Sequence, residues 1–242
     1  MTIIYEPRGR AREYCEWAAN LYRGCGHGCK YCYAPSATRT NRENFYQEPA
    51  PRKSVIEKLA RQLSRGETFK GPVLLCFTCD PYQPINDTHD LAGQAIRLMK
   101  QHGIATEVLT KGGKRAERDL RHLNHDDKVG ATLTFTSPED SLAWEPGAAL
   151  PHERFALLKE AKKMGIQTWA SLEPVIDPEQ SLKIILQTHE FVDLFKVGKL
   201  NYHPRAREVN WEKFAHSAVD LLESLGKKYY IKKDLQCYLV PA

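Results

Sequence analysis

The stretch "YRGCGHGCKYCYAP" places Cys25, Cys29 and Cys32 within eight residues, at CxxxCxxC spacing. Thiolates at such spacing are metal ligands. Structural zinc closes on four protein ligands, often as two CxxC knuckles, and no second knuckle accompanies this loop. A fourth zinc ligand would have to be His27, squeezed between two of the thiols, or Cys15, ten residues upstream. An iron–sulfur cluster fits better. Three thiolates hold three irons and leave the fourth open to bind a substrate or cofactor, much as catalytic zinc keeps an open position. Gly24, Gly26 and Gly28 allow the turns that aim three sulfurs inward. They also leave amide N–H groups free to donate to cluster sulfides, which tunes the potential.

Other chemistry-bearing residues stand where apolar runs end. They are Thr78, Cys79 and Asp80; Thr110 and Lys111; Thr134, Thr136 and Ser137; Ser171 and Glu173; Lys199 and Asn201. In folds that alternate strand and helix, the C-terminal strand ends share one rim, and that rim carries the chemistry. Strands also stop wherever polarity starts, which accounts for Thr136 and Ser137 without function. Lys111 and Glu173 follow directly on apolar runs and are harder to explain that way.

The elements that would carry these residues repeat about every 30–35 residues, the size of a βαβ unit. The runs "EWAANLY", "GPVLLCFTCD", "IATEVLTK", "GATLTFTS", "IQTWASLEPV" and "FVDLFKVGKL" predict six strands. The nearly continuous apolar runs suit strands buried on both faces of a parallel sheet. Between them, Ser54 with Glu57 predicts a capping box opening a helix whose apolar face is Val55, Ile56, Leu59 and Leu63. A helix is expected over about 88–101, stopping at Gly103, and another through Leu120 and Leu123. Pro151 sits at a first helical position. Further helices are expected over 178–188 and from Asn210 to Gly226. The tail "KYYIKKDLQCYLVPA" is read as a possible short strand. Right-handed alternation gives either a barrel or a doubly wound sheet.

The totals agree with one large α/β domain, residues 1–242, with its core over about 15–226 and a tail over 227–242. No run of about eighteen apolar residues marks a membrane span. The start "MTIIYEPRGRAREYC" lacks the apolar core of a secretory signal, so the reading is cytoplasmic. Seven cysteines, an odd number, argue against a disulfide framework. The net charge of +5 is compatible with nucleic-acid binding without demanding it. Arg8, Arg10, Arg12 and Arg23 gather near the N-terminus, where solvated faces are the plainer reading.

"CGHGCKYC", with its aromatic before the third cysteine, resembles the radical S-adenosylmethionine (radical SAM) superfamily. With "NLYRGCGHGCKYCYA", "DPYQPIN", "TKGG", "EPGAALPHERFALLKEAKKMGI" and "SLEPVIDP", the chain looks like the spore photoproduct lyase-like branch. The resemblance implies a partial (β/α)6 TIM-type barrel of parallel strands, with the cluster loop after the first strand. It implies a [4Fe-4S] cluster on Cys25, Cys29 and Cys32 whose open iron chelates S-adenosylmethionine. It implies reductive cleavage to a 5′-deoxyadenosyl radical that abstracts a hydrogen atom from a substrate. The electron comes from a reductant such as ferredoxin or flavodoxin. By the same resemblance Tyr31 packs near the adenine and Lys111 pairs with the cofactor carboxylate. Thr134 or Thr136 meets the ribose, and Asp80 or Glu173 the amine or ribose. Cys79, Tyr31 and Tyr33 form a candidate radical relay. The lyase pattern sets a cysteine beside Thr-Ser-Asp; here "FTCD" puts Phe77 in that slot and Cys79 where the serine stood. His27, Cys15 and Cys237 are left as structural or exposed.

The substrate stays open between a nucleic-acid base, as in lyase-like repair, and a peptide or small molecule. A reading of another class is a zinc-bound nucleic-acid-binding module without catalysis.

Overall fold

The structure is a computed structural model that describes residues 2–239. Among these residues ten strands form in chain order: β1 (Ile4–Tyr5), β2 (Trp17–Ala19), β3 (Tyr22–Arg23), β4 (Ala50–Pro51), β5 (Val73–Leu75), β6 (Thr106–Thr110), β7 (Lys128–Thr132), β8 (Gln167–Val175), β9 (Leu194–Lys199) and β10 (Lys228–Ile231). Eight make one sheet in the order β1-β2-β5-β6-β7-β8-β9-β10, and β3 pairs with β4 apart from it. All pairings from β2 to β10 are parallel; β1 joins β2 antiparallel. β1 and β10 are the two edges, so the sheet is a partial barrel. The six expected strands are all present. The tail supplies the seventh parallel strand, and β1 and β4 have no counterpart among the expected strands.

The core lies in two layers. The outer and larger one fills the space between sheet and helices, with Leu59, Ile96, Leu157, Ile184, Phe195 and Leu222 fully buried. Each such side chain contributes about 1.5–3 kcal/mol by leaving water. The inner layer is small: Ala18, Leu74 and Trp169, packed by Tyr14, Phe77 and Leu109. Trp169 fits because β7 carries Gly130 opposite it; a Cβ there would collide with the indole. The interior also holds charge. Lys196 Nζ lies 3.7 Å from Glu107 and 4.4 Å from the Trp169 ring centroid.

Helix starts follow the sequence where a cap is local. Pro151–Lys163 and Pro178–Thr188 begin at their prolines, and Asp177 accepts from the amides of Glu179 and Gln180. Asn210 caps Trp211–Ser224 through Lys213 N. Three expectations are corrected. Ser54 makes no side-chain cap: it sits at φ 52, because Val55 N donates to Arg52 O in a tight turn that throws Ser54 into the left-handed region. The helix expected over 88–101 starts only at Leu91, since Asp90 at φ 49 breaks it from the short turn Asn86–His89. The helix expected through Leu120 and Leu123 is two short pieces, Lys114–Glu117 and the 3-10 turn Leu120–His122. Among the described residues no helix is long and apolar enough to cross a membrane.

Candidate active site

The cysteine loop follows β3 and is fixed by its backbone. Cys25 N donates to Phe45 O at 2.9 Å and Cys32 N to Cys29 O at 3.1 Å. Tyr46 Oη donates to Cys29 O at 2.8 Å, and Arg42 to Cys32 O at 2.9 Å. Gln83 receives Gly26 N and donates to Gly24 O. Gly24 needs its freedom: its φ is +74, and a Cβ would sit 2.6 Å from Phe45 O. These bonds hold the loop through its peptide groups, while the His27 amide faces the Cys25 sulfur and the Ala34 amide and Tyr46 hydroxyl face that of Cys32.

A second segment, residues 144–154, clamps this loop. Lys30 N donates to Trp144 O, Gly147 N to His27 O and Ala149 N to Lys111 O, each at 2.9 Å. A Cβ on Gly147 would collide with the Gly26 carbonyl, so the two backbones lie directly on each other.

Burial pushes the Cys29 thiol up to about 12, although the Lys111 ammonium pulls the other way. It pushes Cys25 well above the ordinary thiol range, with Asp80 adding to the effect, and raises Cys32 as well. These thiols, Cys29 buried and Cys25 and Cys32 half-buried, are favoured in the neutral form until positive charge arrives, which metal supplies on binding. Among the described residues no three His, Cys, Asp or Glu side chains converge to hold a single ion. The two candidate fourth ligands of a zinc site are engaged elsewhere. His27 Nδ1 is 3.4 Å from Asp80 and Nε2 is 3.3 Å from Arg115. Cys15 packs with the barrel's inner layer. Three soft donors that do not meet at one point fit a cluster, in which each thiolate takes a different iron.

Of the other predicted residues, the structure brings Tyr31, Lys111 and Thr134 together. Tyr31 and Thr134 share one partner, Glu145, which sequence reasoning missed and whose charge also acts on Lys111. Tyr31 Oη donates to Glu145 Oε1, and Thr134 Oγ1 donates to the same oxygen at 3.1 Å. Lys111 Nζ lies 5.6 Å from the Tyr31 ring centroid. Among the described residues it has no hydrogen-bond or ion-pair partner. Arg154, also missed, lies 2.5 Å from Glu145 Oε2, with both side chains out of water. Arg154 also donates to Ala149 O and Thr132 O. Burial alone would raise the Glu145 carboxyl, but the Arg154 guanidinium and the Lys111 ammonium outweigh it and hold the carboxyl below the usual range. Burial likewise works against Lys111, yet Cys29, Glu145 and Asp80 keep its pKa above the ordinary lysine value. The available signal was Glu145 at the head of the apolar run "PGAALP" with Arg154 beyond its end, in "EPGAALPHER".

The remaining predicted residues stand elsewhere. Asp80 accepts from Tyr82 N at 2.8 Å, Thr110 Oγ1 at 2.6 Å and Lys111 N at 2.7 Å, tying the loop after β5 to the end of β6. Thr136 turns to the helix Pro178–Thr188, where Gln180 accepts from its amide and hydroxyl. Glu173 lies inside the barrel with two further residues that the sequence did not reveal. Tyr14 Oη donates to Glu173 Oε2 at 2.5 Å, and Lys232 Nζ is 2.7 Å from that oxygen. Tyr33 Oη donates to Phe77 O at 3.1 Å. Cys79 is buried in the outer layer. Burial raises its thiol, but hydrogen bonding from Cys76 and from the amides of Tyr22 and Leu21 brings it below the ordinary value. No hydrogen bond links Cys79 to Tyr31 or Tyr33 among the described residues.

Comparison with known proteins agrees with this arrangement. The family model described as Radical SAM superfamily matches residues 19–192. Uncharacterized protein Rv2578c of Mycobacterium tuberculosis is 27% identical over 169 residues, covering 66% of this chain and 49% of that protein. The chain thus spans about half the length of that relative. Uncharacterized protein MJ0683 of Methanocaldococcus jannaschii is 23% identical over 189 residues, covering 77% and 71%. Among solved structures, spore photoproduct lyase complexed with dinucleoside spore photoproduct superposes with a TM-score of 0.68 at 15% identity, covering 93% of this chain and 78% of that one. Streptococcus suis SuiB bound to S-adenosylmethionine gives 0.62 at 12% identity, covering 88% and 49%. At such identities the structures show a shared fold. The family match, over most of the chain and across the cysteine loop, shows that this chain belongs to the radical SAM superfamily, whose members use a [4Fe-4S] cluster and S-adenosylmethionine.

Proposed function

We propose that Cys25, Cys29 and Cys32 hold the cluster and that the chain abstracts a hydrogen atom from a nucleic-acid base. When bound, the cluster supplies the electron for reductive cleavage of S-adenosylmethionine and hence hydrogen-atom abstraction. The chain's own residues do the positioning. Lys111 offers an uncommitted ammonium beside the thiols, suited to the methionyl carboxylate. Tyr31 presents its ring toward the adenine while Glu145 fixes its hydroxyl. Thr134, held by the same carboxylate, faces the ribose. Asp80 and His27 act on the loop and not on the cofactor. The clamp of residues 144–154 restricts water at the site. The electron donor is proposed to be a ferredoxin or a flavodoxin.

The observation that carries the reading is the pairing of Tyr31 and Thr134 with buried Glu145, next to the three thiols and to a Lys111 ammonium without a hydrogen-bond or ion-pair partner among the described residues. Two further observations favour the base. The chain carries a net charge of +5. A structural neighbour is complexed with a dinucleoside. Oligonucleotides deuterated on base and sugar carbons, given to anaerobically reconstituted protein with S-adenosylmethionine and a reductant, should transfer label to 5′-deoxyadenosine. Label arriving only from deuterated peptides would replace the base with a peptide substrate. Cofactor cleavage without label from either would remove both.

A further inference from the structure

We propose that the loop after β9, with the N-terminal arginine turn beside it, is a surface that binds a single strand of nucleic acid. The proposal rests on the nucleic-acid reading above and names where the strand lies. Tyr202 is 93% exposed and holds φ 58. A bulky residue at positive φ is costly, and so is a bare aromatic ring in water; among the described residues Tyr202 stacks on no other aromatic ring. Beside it, the His203 ring lies 5.2 Å from that of Trp144, and the Arg205 guanidinium 5.8 Å from the same ring. Trp144 O accepts Lys30 N of the cysteine loop, so this face adjoins the candidate cluster site. Arg207 is exposed, without an ion-pair partner among the described residues; Arg205 has only Glu208, at 3.9 Å, with both side chains in water.

The fold adds cations from far away in sequence. Asp234 pairs with Arg10 and also accepts from Asn201 Nδ2 at 3.0 Å. That bridge sets the turn Gly9–Glu13, flanked by exposed Arg8 and carrying exposed Arg12, against the start of the Tyr202 loop. Among the described residues Glu6, 3.3 Å from Arg12, and Glu208 are exposed carboxylates on this strip, while half-buried Glu13 and Asp234 are already engaged. Arginines spaced along a rim suit phosphates, and exposed aromatic faces suit unpaired bases of any sequence. An acidic peptide would use the arginines and leave Tyr202 idle. A duplex keeps its bases stacked, out of reach of a site inside a barrel mouth.

The test is fluorescence anisotropy with anaerobically reconstituted protein and a labelled 20-nucleotide oligothymidylate, its duplex, and polyglutamate as competitor, across a salt series. We expect single strand to bind more tightly than duplex. Tyr202→Ala should weaken binding about tenfold without changing the salt slope, and Tyr202→Phe should restore it. Arg205→Gln with Arg207→Gln should lower the log–log salt slope by about 1.4. These side chains are exposed, so unchanged melting temperatures verify the fold. Wild-type strand binding that none of the substitutions alters would overturn this surface and leave the nucleic-acid reading standing. Duplex binding as tight as single strand, or equal displacement by polyglutamate, would overturn the single-strand assignment. No strand binding by the wild type would overturn the surface and count against the nucleic-acid reading itself.

Discussion

Glu145 holds a charge where water does not reach, and its neighbours explain why that is tolerable. Arg154 and Lys111 offset the desolvation, and Tyr31 and Thr134 share its other oxygen. Removing one partner of a buried pair strands the other, so we predict that Glu145→Gln costs about 3–5 kcal/mol in urea unfolding. A carboxyl whose folded pKa is depressed contributes stability that is complete above its unfolded value of about 4.3 and drains as pH falls through the lower folded value. The gap in melting temperature between wild type and variant should therefore narrow only in acid below that value. A gap independent of pH would mean that the Glu145 carboxyl titrates alike in the folded and unfolded chain, so that its ion pair adds nothing to stability. Lys111→Ala should weaken S-adenosylmethionine binding by about 1.5–3 kcal/mol, the range for a charge-assisted hydrogen bond. Unchanged affinity in calorimetry would return Lys111 to a turn lysine. Cys29→Ala should leave the circular dichroism spectrum intact and lose the brown chromophore of about four irons per chain.

At the scale of elements, the cysteine loop and residues 144–154 form one unit, because their peptides touch. Gly147→Ala inserts a methyl against the Gly26 carbonyl and 2.9 Å from His27 Cα, neither of which can rotate away. We predict reduced iron loading after reconstitution together with a lower melting temperature; full loading would show that the clamp yields. Local chemistry made much of this scale legible. Pro151, Pro178 and Asn210 set helix starts through bonds within a few residues, and the run ending at Leu75 is buried whichever way it faces. Placement past a strand end was not legible. β7 stops at Thr132, so alternation no longer relates Thr134 to Thr136, and one meets Glu145 while the other meets Gln180. Cys79 likewise lies beyond β5, in a turn that buries its thiol against Cys76. Ser54 looked like a cap because its neighbours fit the pattern, yet the contact that decides its φ comes from Arg52 in a turn. Tyr14 and Lys232 are separated by most of the chain, and no spacing rule connects them.

At the scale of the whole molecule, the open seam of the barrel is spanned by residues 9–14. Glu13 accepts from Tyr230 Oη at 3.1 Å and Lys233 N at 3.0 Å, and Tyr14 O accepts from Lys196 Nζ at 2.7 Å. Tyr14 then enters the interior and meets Glu173 from β8 and Lys232 from beyond β10. Three distant segments thus share one carboxylate, which ties the first strands to the last without any backbone pairing between the edges. If that sharing is energetic as well as geometric, loss of one donor must change the worth of the other. We predict that Tyr14→Phe and Lys232→Met are non-additive in urea unfolding, with a coupling of about 0.5–3 kcal/mol. Either single change leaves Glu173 one donor, whereas the double change leaves it bare beside the inner layer. The double variant should therefore be less stable than the two single losses together imply. Strict additivity would mean that the two ends of the chain close the barrel independently, and that Glu173 finds solvent when its donors are gone.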